Sequence, residues 1–170
     1  MRRSRWLLRE AARRDPGDAR VRLFTSHLRF PRRRLLDDLR SFEEGPDLVG
    51  GDPEMRAAWF ASTGVMWARM RDFRRAYDCL DRARTLAPDD SWVLSLESAV
   101  HGLADRWADA LNSAERAWVV DPGAPFAAAA TGTSLLSLGR IEESAARLSV
   151  AADESQSWEL VLDACWRQCA

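Results

Sequence analysis

The chain has 170 residues, of which 46% are hydrophobic and 30% are charged, and its formal net charge is −1. This composition is typical of a globular protein and excludes a disordered tail. The most apolar run, residues 125–131, is far shorter than the roughly 20 residues that cross a bilayer, and the first 14 residues hold no apolar stretch long enough to predict a secretory signal. The three cysteines lack disulfide spacing, so we predict a cytoplasmic location.

The first 52 residues predict irregular helices with a basic surface. A helix is expected at about 19–29 and another at about 32–44, where Leu35, Leu36, Leu39 and Phe42 share one face. Residues 1–40 contain 13 arginines and five acidic residues. Such a cluster could contact RNA phosphates. Because no aromatic stacking residues are interleaved with these arginines, nucleic acid is the less favoured partner.

From residue 53 to 156, side chains of matching size recur at a constant 34-residue interval. Pro88 and Pro122 share this spacing, and each is expected to end a helix because proline lacks an amide hydrogen. Small residues recur at two positions and bulky residues at a third: Gly64, Ser98 and Gly132; Ala76, Ala110 and Ser144; Phe73, Trp107 and Ile141. Small residues let paired helices approach closely, and the bulky residues fill the remaining gap. The pattern predicts three antiparallel helix pairs.

This 34-residue pattern resembles the tetratricopeptide repeat family. Segments 57–90, 91–124 and 125–156 correspond to three units, and the first matches best, through Phe60, Gly64, Trp67, Ala76, Leu80, Ala83 and Pro88. The resemblance implies an all-α fold, an α-solenoid in which antiparallel helix pairs stack into a right-handed superhelix. Residues 1–52 are then interpreted as one and a half degenerate units.

Residues 157–170 are predicted to form a helix that caps the stack. Trp158, Leu162, Cys165 and Cys169 fall on one stripe of this helix, and that stripe would cover the previous pair. Trp166 lies beside the stripe. If it is uncovered, this helix is a candidate surface for a homodimer.

The resemblance also implies where a partner would bind. In tetratricopeptide proteins the exposed side of each first helix lines a concave groove. Transferred to this chain, that side defines the predicted groove: Ala58, Ala61, Val65, Arg69, Trp92, Ser95, Ala99, Leu103, Phe126, Ala129, Thr133 and Leu136. The mostly small or apolar lining favours a protein or peptide with an apolar or amphipathic segment. Trp92 and Phe126 would anchor it, unless either aromatic packs against the adjacent unit.

Nothing in the sequence has the pattern of a catalytic or metal site. His101 stands where Trp67 and Leu135 stand in neighbouring units, so we expect it in the core, with Asp105 as a hydrogen-bond partner. His27 has no recognisable partner. Cys165 and Cys169 lack the second ligand pair that zinc requires. No phosphate-binding glycine loop or nucleophile motif occurs. We predict no enzyme activity, no cofactor and no metal.

The leading interpretation is a non-catalytic scaffold or adaptor that holds a peptide or helix in its concave groove. The alternative is a docking or regulatory domain of a larger enzyme or enzyme complex. A helical-repeat RNA binder is a third, less favoured interpretation.

Overall fold

The computed structural model describes residues 10–15, 17, 18, 21, 23 and 52–155, with side chains up to residue 149. Residues 52–155 form six helices: α1 (Pro53–Arg69), α2 (Phe73–Leu86), α3 (Ser91–Leu103), α4 (Trp107–Val120), α5 (Pro125–Ser137) and α6 (Ile141–Ser155). Residues 10–14 are also helical, and the described residues contain no strand. The predicted all-α class is confirmed.

Several predictions concern residues outside the described set. They include the rest of the first 52 residues, the cap at 157–170 and the remarks on His27, Cys165, Trp166 and Cys169. Among the described helices, none combines the length and the apolarity that a bilayer crossing requires.

Three helices begin at an aspartate N-cap, and two helices end shortly before a proline. The carboxylates of Asp52, Asp72 and Asp90 each accept the backbone amide three residues later, at 2.8–3.1 Å. These N-caps satisfy amides that have no partner within the helix. The helices α2 and α4 end two residues before Pro88 and Pro122, as predicted.

The small residues at the 34-residue spacing lie where paired helices approach most closely. A β-carbon at Gly64 would lie 3.1 Å from the carbonyl oxygen of Ala76. In the third pair, Ser144 Oγ donates a hydrogen bond of 2.8 Å to the carbonyl oxygen of Gly132. The predicted close approach of first and second helices is therefore confirmed.

The turn within each pair contains one residue with positive φ. These residues are Arg71 (φ 64°), Asp105 (φ 59°) and Gly139 (φ 77°), and they keep the same 34-residue spacing. Only glycine adopts this conformation without steric cost. The first and second turns therefore keep this geometry although Arg71 and Asp105 adopt a positive φ less readily than glycine.

Arg71 joins the first turn to the second. Its Nη1 donates to the carbonyl oxygen of Leu103 at 2.6 Å, and its Nη2 lies 3.8 Å from Asp105 Oδ2. The guanidinium also lies over the ring of Phe73, 4.7 Å from the centroid. The Arg71 side chain therefore bridges the first turn, the C-terminal end of α3 and the second turn.

The buried apolar residues lie within the helix pairs and between successive pairs. The largest fully buried side chain is Trp59 of α1, within a cluster that extends through α2 and α3. A second cluster joins Leu94, Ala117 and Ala127, with Trp118 packed against it. One packing prediction is wrong. Ile141 begins α6 but does not fill a gap, because its side chain is 65% exposed and no described helix lies over it.

Candidate binding groove

A cavity of about 380 Å³ opens between the C-terminal halves of the first helices α1, α3 and α5. Apolar side chains form much of its wall: Val65, Ala99, Leu103, Trp107 and Ala130. Hydroxyl groups are supplied by Ser98, Thr133 and Ser134, and the Oγ atoms of Ser98 and Ser134 lie 3.5 Å apart. The lining thus combines an apolar wall with a few polar groups, as in many ligand sites.

Charged residues stand at one edge of this cavity. Arg69, at the end of α1, and Arg71, in the following turn, provide two positive charges. Asp105, in the next turn, provides one negative charge. The side chains of Arg71 and Asp105 are 64% and 75% exposed, so this cationic edge is accessible to a partner.

Part of the predicted groove lies in the cavity wall, namely Val65, Arg69, Ala99, Leu103 and Thr133. Ala58 is half-buried against the core, and Leu136 is exposed but does not line the cavity. The cavity therefore occupies only the C-terminal half of the predicted groove.

Five residues of the predicted groove are buried rather than accessible. They are Ala61, Val65, Ser95, Ala129 and Thr133, and Ala61 has no exposed surface. Ser95 Oγ is directed to its own helix, where it donates to the carbonyl oxygen of Ser91 at 2.7 Å. Such short side chains on closely packed helices are covered by the neighbouring residues.

The two expected aromatic anchors pack against each other. The rings of Trp92 and Phe126 meet edge to face, with 4.2 Å between centroids and 83° between planes. They stand at the N-terminal ends of α3 and α5, far along these helices from the cavity. This contact between the second and third pairs favours the alternative in which the aromatics pack against the adjacent unit.

Sequence reasoning missed several residues of the cavity wall. Arg71 and Asp105 were not included because only the helix faces were considered, and both lie in turns. Their 34-residue separation is the signal that could have found them. Trp107 was expected in the core, and it is half-buried with part of its ring in the cavity wall.

A polar network crosses from the first pair to the second, next to the groove. His101 Nδ1 lies 3.3 Å from the Tyr77 hydroxyl, and its Nε2 lies 3.7 Å from Glu97 Oε1. Glu97 also accepts a hydrogen bond of 3.1 Å from Arg84 Nη1.

The prediction that Asp105 partners His101 is wrong, because the positive φ of Asp105 places it in the turn beside Arg71. Glu97 lies 34 residues after Thr63 and 34 residues before Thr131. A carboxylate in place of these threonines is the sequence signal that could have identified Glu97 as the partner of His101.

The surroundings of Glu97 keep it ionised although its side chain is only 5% exposed. Burial by itself would raise the pKa of this carboxyl group. The close contact with His101 and the charges of Arg84, His101 and Arg116 outweigh burial, and they hold the pKa below its usual value of about 4.5.

The lowered pKa predicts how the stability depends on pH. A carboxyl group with a depressed pKa in the folded state contributes stability above its unfolded pKa and loses it as the pH falls through the folded value. We therefore expect the stability difference between wild type and Glu97→Gln to be constant near neutral pH and to shrink below about pH 4.5. Urea unfolding at several pH values measures this difference. Glu142→Gln, at an exposed residue of α6, is the control, and a difference independent of pH would contradict the prediction.

Within residues 10–155, as far as they are described, no group of three or more His, Cys, Asp or Glu side chains is placed to hold a metal ion.

Comparison with known proteins gives structural relatives only. No protein-family model and no curated protein matches the sequence. The structure resembles TTC0263, a thermophilic TPR protein of Thermus thermophilus, with a TM-score of 0.67 and 18% identity over 96% of this chain and 86% of that one. It also resembles the MamA protein, with a TM-score of 0.54 and 17% identity over 88% of this chain and 80% of that one.

A third similar structure is YrrB, described as a TPR protein with an unusual peptide-binding site. It gives a TM-score of 0.50 and 13% identity over 95% of this chain and 81% of that one. At these identities the likeness concerns the fold. Together with the 34-residue hairpins and their turns, it shows that the chain has the fold of the tetratricopeptide repeat proteins.

Proposed function

We propose that this protein is a non-catalytic interaction scaffold, and that it binds an amphipathic segment of a partner protein in the cavity between α1, α3 and α5. The observation that carries the proposal is the combination of an apolar wall with a cationic edge in one accessible cavity. Its volume of about 380 Å³ falls within the range of about 300–1,000 Å³ that is usual for ligand sites.

The lining specifies the chemistry of the partner. Val65, Ala99 and Leu103 would contact a large apolar side chain and remove it from water. The two arginines against one aspartate at the edge leave a net positive charge, which favours a carboxylate next to the apolar side chain. We therefore infer a partner segment that carries an acidic residue within one helical turn of a leucine or an aromatic residue.

The structural relatives are consistent with this proposal. YrrB has a peptide-binding site within the same fold. The likeness to YrrB supports a peptide as the class of partner. The chemistry of the bound segment is inferred from the residues that line the cavity in this chain.

Filling the cavity provides a direct test. Twelve-residue peptides selected from a displayed random library against the full chain would be measured by fluorescence anisotropy. Ala99→Phe is expected to weaken binding roughly tenfold or more, because the added ring occupies the space of the ligand side chain. Ala130→Phe tests the opposite wall in the same way.

The matched control places the same ring outside the groove. Ala108→Phe, at an exposed residue of α4, is expected to leave the affinity unchanged. Circular dichroism confirms that each variant is folded. If both cavity variants bind the selected peptides as tightly as wild type, the peptides bind elsewhere and the proposal is wrong.

The cationic edge has a separate signature. Arg69→Glu is expected to weaken binding of acidic peptides several-fold in dilute buffer, and the effect should diminish as salt screens the charges. Arg74→Glu, the same charge change on the exposed side of α2, is the control. If Arg69→Glu and Arg74→Glu weakened peptide binding equally, the net charge of the protein would explain the effect, and the cationic edge would not be a specific contact.

A further inference from the structure

The side chain of Arg71 makes three contacts where the first turn meets the second unit. Its guanidinium lies over the ring of Phe73, 4.7 Å from the centroid. It donates to the carbonyl oxygen of Leu103, the last residue of α3, at 2.6 Å. It also lies 3.8 Å from the carboxylate of Asp105. An aromatic face, a carbonyl at a helix C-terminus and a carboxylate each favour a cation, and together they surround this guanidinium.

The same arrangement recurs one unit later without its arginine. Its positions, each 34 residues after the counterpart in the first turn, are Asp105 for Arg71, Trp107 for Phe73, and Ser137, the last residue of α5, for Leu103. The backbone of the two turns agrees, with φ of 64° at Arg71 and 59° at Asp105. The second turn therefore keeps the aromatic ring and the helix end, and it carries a carboxylate where the first turn carries the cation.

The groups of this second arrangement are accessible from the groove. The side chain of Asp105 is 75% exposed, and Ser137 is exposed. The indole of Trp107 packs against Gly102, where a β-carbon would lie 2.8 Å from the ring, and the ring also lines the cavity. The missing side chain at Gly102 thus lets the indole pack on α3 while part of the ring stays in the cavity wall.

The neighbouring arginines are held by other groups. Guanidinium groups lie 4.2–5.7 Å from the centroids of five rings: Phe60, Trp67, Phe73, Tyr77 and Trp118. Arg106 donates to Asp109 at 2.8 Å, and Arg140 donates two hydrogen bonds of 2.6 and 2.7 Å to Glu143. Within the part of the chain that the structure describes, the Trp107 ring has no guanidinium over it.

We propose that the second turn binds one arginine of the partner segment, whose guanidinium lies over Trp107, donates to the carbonyl oxygen of Ser137 and pairs with Asp105. Arginine is favoured over lysine because a planar guanidinium stacks on a ring and donates hydrogen bonds from its edge at the same time.

This inference rests on the proposed function, since the turn borders the same groove, and it adds a basic residue to the acidic and apolar residues of the segment. Packed helices are about 8–10 Å apart. The arginine would therefore lie about that far along the groove from the carboxylate that the cationic edge attracts.

A variant that carries the arginine in the chain itself tests the site without a partner. Asp105→Arg places a guanidinium at the position of Arg71 in the first turn, and Arg71 shows that arginine adopts this φ. Asp105→Arg, Trp107→Ile and the double variant form a cycle in urea unfolding. We expect Asp105→Arg to raise the folding equilibrium constant about threefold more with Trp107 present than with isoleucine there. Additive effects would overturn the proposal.

A conservative variant shows whether the aromatic ring carries this coupling. Trp107→Phe introduces the residue type that Phe73 supplies in the first turn. It is expected to keep most of the coupling with Asp105→Arg, because phenylalanine also presents an aromatic face to a cation. Equal coupling for phenylalanine and isoleucine would contradict a stacked guanidinium.

Peptide binding tests the arginine of the partner. Selected peptides whose binding Ala99→Phe weakens are resynthesised with citrulline, the uncharged isostere of arginine, at each arginine in turn. We expect one such replacement to weaken binding to wild type about fivefold, and binding to Asp105→Asn by less than about twofold. Asparagine preserves the turn, because it adopts a positive φ readily. Equal losses on the two proteins would place the arginine elsewhere and overturn the proposal.

The outcomes separate this inference from the proposed function. Peptides that bind in the cavity and tolerate citrulline at every arginine would refute the arginine site and leave the groove intact. If Ala99→Phe weakens no selected peptide, the proposed function fails, and the unfolding cycle still decides whether a guanidinium lies over Trp107.

Discussion

Replacing Trp59 with alanine is expected to lower the free energy of unfolding by about 3–5 kcal/mol. The indole is 1% exposed and is the largest fully buried side chain of the described residues. Its removal sacrifices the burial of a large aromatic surface and leaves a cavity among residues of α1 and α2 that cannot fully collapse. Because domains of this size are stable by only about 5–15 kcal/mol, the loss is a large fraction of the total.

Urea unfolding followed by circular dichroism measures this effect. Trp118→Ala is the matched control, because this tryptophan is half-buried and one side of its ring contacts the Arg147 guanidinium, 4.8 Å from the centroid. We expect a loss of about 1–2 kcal/mol for the control. Equal losses for the two variants would show that Trp59 does not hold the core of the first pair.

Gly64→Leu is expected to destabilise the protein by about 2–3 kcal/mol, because it overpacks the closest approach of α1 and α2. A β-carbon at this position already lies 3.1 Å from the backbone oxygen of Ala76 and 3.5 Å from the β-carbon of Cys79. A backbone atom cannot rotate away as a side chain can, so a branched side chain must separate the helices. The counterpart Ser98 shows that a small side chain is tolerated at this position in the second pair.

The control introduces the same residue on the same helix. Arg69→Leu, at the exposed end of α1, is expected to change the stability by no more than about 0.5 kcal/mol. Thermal and urea unfolding of both variants give the comparison. If Gly64→Leu were as stable as wild type, the close approach of the two helices would not depend on the small residue.

Most of the fold follows from spacing that can be read in the sequence. The 34-residue recurrence predicted three helix pairs, the starts of α2, α4 and α6 at Phe73, Trp107 and Ile141, and helix ends just before the two prolines. It succeeded because a helix has a fixed period, so that small and bulky residues at constant intervals fall on the same faces in every unit.

The candidate site was predicted less completely. Val65, Ala99 and Thr133, which were predicted to lie on one face, all line the cavity, since they occupy the same register position in α1, α3 and α5. Ala61 and Ala129 were placed on an accessible surface although they are buried. Whether a short side chain is accessible depends on how closely the neighbouring helix packs, and a single helix does not encode that distance.

What the sequence determined by itself is therefore the set of helices, their pairing and the register in which the pairs repeat, because these depend on local propensity and on a constant interval. Only the tertiary structure decided which part of the concave face remains open, that Glu97 rather than Asp105 meets His101, and that Arg71 reaches the end of α3. These contacts join residues from different pairs or turns. Their geometry depends on the angle and distance at which the pairs stack, and on a positive φ that neither arginine nor aspartate announces in a sequence.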